Sequence, residues 1–349
     1  MVSQRQRSPG RPTLEEVAAA AGVGRGTVSR VVNGSPQVSP AAKEAVERAI
    51  ADLGYVPNRA ARALVTQRTD SVALVVSESE DRVFGQPFFA GIIRGISSSL
   101  AETPLQLWLA MAQSSAERVR LNLHLTRQHV DGVLLLSLHD DDPLPALLAD
   151  RDLPVVLGGR TASMLGTPEA APVSFVDVDN VGGARLATTH LVAADRRRIA
   201  TIAGPQDMGA GVARLAGYRD AMAAESRSVD SRLIAYGDFT EDSGIVAMRQ
   251  LLAARPDIDA VFAANDPMAL GALRVLRDSG RRVPEDVAVV GFDDSVIASQ
   301  TQPTLTSVHQ PIEEMGRAMV RLLYDKIRGI QPDAPYIILG THLVERDSG

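Results

Sequence analysis

The sequence contains no cysteine among its 349 residues, which excludes disulfides, thiol nucleophiles and cysteine-based zinc sites. No apolar run approaches the roughly 18 residues that a membrane-spanning helix needs, so no membrane partner is expected. Arg5, Arg7 and Arg11 near the start are followed by no apolar stretch. No secretory signal is therefore expected, and the cytoplasm is the default compartment. The histidines are scattered without metal-ligand spacing, and no nucleophile elbow or paired acid–base arrangement occurs. Gly22-Val23-Gly24-Arg25-Gly26 is spaced like a nucleotide-binding glycine loop but follows a helical stretch, not a strand, and so fails the context test. No catalytic residue, metal or cofactor is expected, and the chain reads as a non-enzyme.

Acidic charge dominates overall, with a net charge of −6, but it is unevenly spread. Residues 1–69 hold ten Arg or Lys against five acids, leaving the other 280 residues at −11. A basic segment on an acidic body is the electrostatic footprint of a nucleic-acid-binding arm. Residues 1–12 read as a disordered lead, with Pro9, Gly10 and Pro12. Residues 13–57 read as three short helices forming an all-α helix-turn-helix headpiece. Thr13 and Glu16 make a capping box, Val17, Ala20 and Ala21 follow at helical spacing, and Gly22 permits a bend. A second helical pattern buries Val28 and Val31 and leaves Arg25, Thr27, Ser29, Arg30 and Asn33 outward. In such a motif the second helix enters the major groove, where a guanidinium grips guanine O6 and N7. Arg25, at the N-terminal end, is the leading base reader. Ser39-Pro40 starts a third helix that Gly54 ends. Residues 58–70 read as a hinge helix and linker.

From Ser71 onward strands and helices alternate. Strand-like runs fall at 72–77, 105–112, 130–137, 154–158, 173–177, 199–203, 233–236, 260–263, 287–291 and 304–308. Helical stretches between them include 89–101, 181–193, 214–224, 242–254, 268–279 and 312–328. This is the signature of parallel sheets covered by helices. Ten strand runs exceed one sheet, so residues 71–345 are expected to form an α/β core of two doubly wound parallel-sheet lobes. The N-lobe is placed at about 71–177 and 309–330, the C-lobe at about 178–308 and 331–345. Trp108, within a strand run, is expected in the core. The stretch His139-Asp140-Asp141-Asp142 reads as a solvated loop, and Asp266 and Asp294 as helix caps.

Several blocks resemble the lac repressor/galactose repressor family, in family order. They include Ala21-Gly22-Val23, Thr27-Val28-Ser29-Arg30-Val31, Leu53-Gly54-Tyr55-Val56-Pro57-Asn58, Ala203-Gly204-Pro205, Ala264-Asn265-Asp266 and Phe292-Asp293-Asp294, and the resemblance spans about residues 13–345. It implies a periplasmic-binding-protein-like core, a homodimer and a near-palindromic double-stranded operator. It makes 58–64 a hinge helix that orders on DNA, with Leu64 as a minor-groove wedge. Thr13, Gly26, Ser39, Tyr55, Asn58, Arg59 and Ala61 join the candidate DNA-binding set on the same basis. Gly24 and Gly26 depart from the common pattern at the start of the recognition helix. A glycine there weakens the N-cap, and Arg25 carries more of the readout. No leucine-heptad segment closes the chain, so a dimer is the expected assembly.

Ligands of open parallel sheets bind beyond the carboxyl ends of the strands, and two facing lobes make a cleft there. The resemblance assigns Arg214, Phe239, Asn265, Asp293 and Gln310 to effector binding most directly, and Phe88, Phe89, Arg160 and Asp207 more loosely. Glu78 is added from its own position at a strand end. Carboxylates, amides and guanidinium groups beside aromatic faces suit a neutral, hydroxyl-rich sugar. Residues 134–139, 203–208 and 236–240 are similar to those of the cellobiose-responsive repressors of actinobacteria, making cellobiose or a related β-glucoside the leading effector. Open alternatives are another sugar or a corepressor within the family and, in other classes, a sugar-transport binding protein or an enzyme.

Overall fold

The structure is a computed structural model that describes residues 12–32, 35, 37–56, 68–166, 173–331 and 334–349. Residues 1–69 and 70–349 form two compact units. The expected lead, Asn33 and the hinge residues Asn58, Arg59, Ala61 and Leu64 lie outside the described residues.

Among its described residues the smaller unit has three helices, α1 (Leu14–Ala21), α2 (Arg25–Val32) and α3 (Pro40–Leu53). Thr13 Oγ1 accepts from the Glu16 amide and Glu16 Oε2 accepts from the Thr13 amide at 2.7 Å, closing the capping box. Gly22 takes φ +66°, a left-handed conformation that turns the chain from α1 into α2 without a Cβ penalty. Val17, Ala18, Val28, Val46, Ala49 and Tyr55 fill a small core.

The larger unit opens with β1 (Ser71–Val76), α4 (Glu80–Gly85), α5 (Pro87–Leu100), β2 (Gln106–Met111), α6 (Ser115–His124), β3 (Gly132–Leu136), α7 (Leu144–Ala149), β4 (Val155–Gly158) and β5 (Ser174–Val178). It continues through α8 (Asn180–Ala193), β6 (Ile199–Ala203), α9 (Gly209–Ala224), β7 (Ile234–Tyr236), α10 (Glu241–Ala254), β8 (Ala260–Ala263), α11 (Asp266–Asp278), β9 (Ala288–Asp293), α12 (Val296–Gln300) and β10 (Thr306–His309). It ends with α13 (Ile312–Ile327), β11 (Tyr336–Leu339) and β12 (His342–Val344). The N-lobe sheet has the order β11-β5-β4-β3-β1-β2 and the C-lobe sheet the order β12-β10-β9-β8-β6-β7. All pairings are parallel except β10 with β12.

Strand side chains alternate between the two faces of a sheet, so each strand feeds two cores. Leu74, Leu134, Val156 and Val176 pack under α5 and α13, whereas Val75, Val133, Leu135 and Phe175 pack under α7. Ile202, Val261 and Val289 meet α10 and α11, while Ile199, Phe262 and Val290 meet α8 and α9.

Three sequence expectations are corrected. Residues 336–339, assigned to the C-lobe, pair in parallel with β5 of the N-lobe, and only 342–349 return to the C-lobe sheet. The chain therefore crosses between lobes three times. Trp108 is 55% exposed, because β2 is the sheet's outer strand and offers one face to solvent. Asp266 and Asp294 cap no helix. Asn265 caps α11, its Oδ1 accepting from the Met268 amide at 3.0 Å. Asp266 is fully buried, accepting from Ser307 Oγ at 2.6 Å and the Ser295 amide at 2.7 Å. Asp294 pairs instead with Arg346 and His309.

Candidate functional site

The carboxyl ends of both sheets converge on one cleft. It is lined by Glu78, Phe88, Phe89, Arg160, Arg214, Phe239, Asn265, Asp293 and Gln310, all singled out from the sequence. Asp207 does not line it. Its neighbours Met208 and Gly209 do, while its own side chain turns out to the rim and meets His139. Arg82, Gln86, Ser137, Asp177 and Asn180 also line the cleft and were missed. Asp177 and Asn180 follow the same strand-end rule as the others. Arg82 and Gln86 sit on or just after α4, six residues long and too short to show a period.

Arg214 organises the C-lobe wall. Its Nε donates to Asn180 Oδ1 at 2.9 Å, one terminal nitrogen to the Ala264 carbonyl at 2.6 Å, and the other to Gln310 Oε1 at 2.7 Å. Asp293 Oδ1 lies 3.5 Å from the guanidinium. The Phe292 ring stacks on it at 3.6 Å and Phe239 stands 5.9 Å away. Burial lowers the Arg214 pKa and raises that of Asp293, each opposed by the other's charge. On the N-lobe wall Arg160 Nε donates to Asp177 Oδ2 at 2.7 Å, and Asp177 Oδ1 accepts from Asn180 at 3.0 Å. Glu78 accepts from Ser137 Oγ and from Arg82, both at 2.8 Å.

Backbone strain gathers at the same strand ends. Ser137, Phe239 and Asp293 have φ of +59°, +70° and +108°. Each such residue costs about 1–3 kcal/mol and persists where the surroundings fix it, commonly at ligand sites. At Phe239 the strain turns the ring into the cleft while its carbonyl accepts from Asn265 at 2.9 Å and Gln86 at 3.4 Å. Among the described residues no cluster of His, Asp and Glu has the arrangement to hold a metal ion.

In the helical unit, Arg25, Gly26 and Arg30 are exposed along α2, with Thr27 and Ser29 half-buried. Arg25 is 3.2 Å from Glu15, an exposed pair of small energetic consequence that leaves the guanidinium available to DNA. Gly24 supplies only its carbonyl at the start of α2, accepting from the Thr27 amide at 2.8 Å. Thr13 and Ser39 are exposed helix caps, and Tyr55 lies in the core. Arg25→Ala is expected to weaken operator binding by about 1–3 kcal/mol and relax preference at one base position. Fluorescence anisotropy on operator and scrambled duplexes checks this, and equal losses on both would reduce Arg25 to a phosphate contact.

Residues 13–58 match the bacterial regulatory proteins of the lacI family, and residues 188–349 match a periplasmic binding protein-like domain. The chain is 61% identical over 339 residues to the HTH-type transcriptional regulator CelR of Thermobifida fusca, covering 97% of this chain and 98% of that protein. It is 34% identical over 337 residues to the ribose operon repressor of Escherichia coli strain K12, covering 96% and 99%. Among solved structures it is similar to a complex of transcriptional regulator CelR with cellobiose, with TM-score 0.77, 59% identity and coverage of 97% and 100%. It is also similar to the lac repressor dimer bound to operator and the anti-inducer ONPF, with TM-score 0.84, 29% identity and coverage of 97% and 99%. With a helix-turn-helix and a two-lobed cleft on one chain, and these likenesses along nearly its whole length, the protein belongs to the LacI family of bacterial transcriptional regulators.

Proposed function

We propose that the chain is a cytoplasmic, homodimeric repressor that holds a near-palindromic operator and leaves it when cellobiose or a related β-glucoside fills the cleft. The observation that carries the effector is the likeness over 97% of the chain to a regulator solved with cellobiose. The cleft chemistry agrees. Asn180 and Gln310 offer amides, Glu78 and Asp293 offer carboxylate acceptors, and Phe88, Phe89 and Phe239 offer faces for pyranose C–H groups. Sugar closes the two lobes on each other, the hinge segments at 58–64 lose their ordered state, and the headpieces lose their fixed spacing. The edge strand β2 exposes Trp108, an apolar side chain for a second copy of the chain to cover.

Catalysis is no part of this reading, and the cleft supports that. Glu78 and Asp177 are each hydrogen-bonded to an arginine, at 2.8 and 2.7 Å, so these carboxylates are held as ion-pair partners rather than as free bases. Calorimetry with cellobiose, maltose, galactose and a purine tests the effector, with heat expected from cellobiose. No heat from cellobiose and a strong response to another ligand would overturn it. A gel shift with the binding ligand gives the sign, because an inducer weakens the operator complex and a corepressor tightens it.

A further inference from the structure

We propose that His139 is a proton-dependent latch across the cleft, tying Asp207 of the C-lobe to Glu78 of the N-lobe and coupling closure to uptake of a proton. The inference rests on the effector reading above and concerns how that site is regulated. His139 follows β3 and stands outside the lining of the cleft. Its Nδ1 is 2.7 Å from Asp207 Oδ2, and its Nε2 is 3.8 Å from Glu78 Oε1. The backbone repeats the bridge, since the Asp140 amide donates to the Asp207 carbonyl at 2.9 Å. The neighbouring charges are otherwise engaged. Arg82 holds the second oxygen of Glu78 at 2.8 Å, Asp140 Oδ1 accepts from the Ala162 amide at 2.7 Å, and Asp142 accepts from Ser77 Oγ at 2.6 Å with Arg118 3.8 Å away. Asp141 is exposed. An imidazolium between two carboxylates is the arrangement that rewards protonation.

Glu78 pushes the His139 imidazole up to about 9, burial opposes it, and Asp207 adds to the rise. Separating the lobes removes Asp207 and leaves Glu78, so only part of that rise belongs to closure. The closed form binds the proton more tightly than the open form. Effector affinity is therefore greatest where His139 is charged in both forms, and it falls as pH rises towards the closed-form value.

The test is calorimetric titration of the full chain with cellobiose at pH 7 and pH 9.5, in buffers of different ionisation heat, for the parent protein and His139→Gln. The parent is expected to take up protons on binding and to bind about threefold to tenfold more weakly at the higher pH. His139→Gln, neutral throughout, is expected to lose most of both effects. It also serves as the control for Asp293, whose buried carboxyl has a raised pKa in both proteins. Asp207→Asn is expected to fall between the two. Equal pH dependence and equal proton uptake in the parent and His139→Gln would overturn the latch. Absence of heat from cellobiose in every protein would overturn the effector reading instead. The latch is then read without ligand. The cysteine-free chain accepts one introduced spin label on each lobe. A lobe separation that grows between pH 7 and pH 9.5 in the parent but not in His139→Gln supports the latch, and unchanged separations overturn it.

Discussion

Replacing Arg214 by alanine should leave operator binding in place and abolish release by the effector. The guanidinium has five N–H groups in a fixed fork. Three contacts, to Asn180, Ala264 and Gln310, join α8, the end of β8 and the residue after β10, and Asp293 stands beside them. Alanine removes the cation from a fully buried site and leaves Asp293 uncompensated. Breaking a buried pair in this way costs about 3–5 kcal/mol, enough to lower the melting temperature of the core by roughly 10 °C. Asp293 has its pKa raised by burial against the pull of Arg214. Without Arg214 it rises further, so the variant loses least stability in acid, where the orphaned carboxyl is protonated, and most in alkali. The polar groups that Arg214 aligns would no longer share one geometry, and half-release of operator should need at least about 100-fold more effector. Arg214→Lys separates the two consequences. Its ammonium keeps a charge beside Asp293 but cannot serve three acceptors in a plane, so stability should recover while the effector response stays lost. Normal release by the effector in Arg214→Lys would show that charge alone suffices. Gel shifts with increasing cellobiose, beside thermal unfolding across pH, give the readouts.

What could be read in advance depended on how strongly local rules constrained each element. Fully buried strands such as β1, β6 and β8 show as short apolar runs between turn residues, and helices such as α10 and α13 carry a 3.6-residue period. β11 and β12 are short outer strands, four and three residues long and only half-buried, and they carry no comparable pattern. Their place in different lobes is a long-range pairing that composition does not encode. Trp108 misled for a related reason, since a strand's membership of a sheet does not say which strand is outermost. In the cleft, Asn265 and Asp293 were legible because chain position at a strand end fixes their direction, whereas Arg214, inside α9, was legible only through the family resemblance. Arg82 was not, since its role depends on α4 reaching Glu78 and the carbonyl of Asp238 in the opposite lobe. His139 was legible only as one residue of an acidic loop. Its two partners lie 61 residues before it and 68 after it in sequence, and only the meeting of the lobes joins them.

Gly95→Ala should destabilise the core far more than Gly91→Ala, although the two positions lie one helical turn apart on α5. In open space, alanine stabilises a helix interior relative to glycine by roughly 0.5–1 kcal/mol. At Gly95 a Cβ would lie 2.1 Å from the backbone oxygen of Glu313 and 2.9 Å from its carbonyl carbon. The contact is reciprocal, because a Cβ at Gly316 would lie 2.5 Å from the Ile92 oxygen. α5 and α13 thus cross backbone against backbone, and neither side has a flexible atom to withdraw. Relief requires the helices to separate, opening the apolar layer of Ile92, Ile96, Met315 and Met319 beneath them. We expect a cost above about 3 kcal/mol, beyond what helix propensity returns. At Gly91 the nearest atom is Ile312 Cγ2 at 2.9 Å, a side-chain methyl that a small shift of Ile312 can withdraw, with no backbone atom in the way, so the cost should be well below that at Gly95. The core transition in thermal unfolding of the full chain checks both. Similar melting temperatures for the two variants would refute the backbone-to-backbone crossing. The crossing also reaches the site, since α5 begins with the cleft residues Phe88 and Phe89 and α13 starts two residues after Gln310. Folded Gly95→Ala protein should therefore bind effector more weakly than Gly91→Ala, although neither glycine lines the cleft.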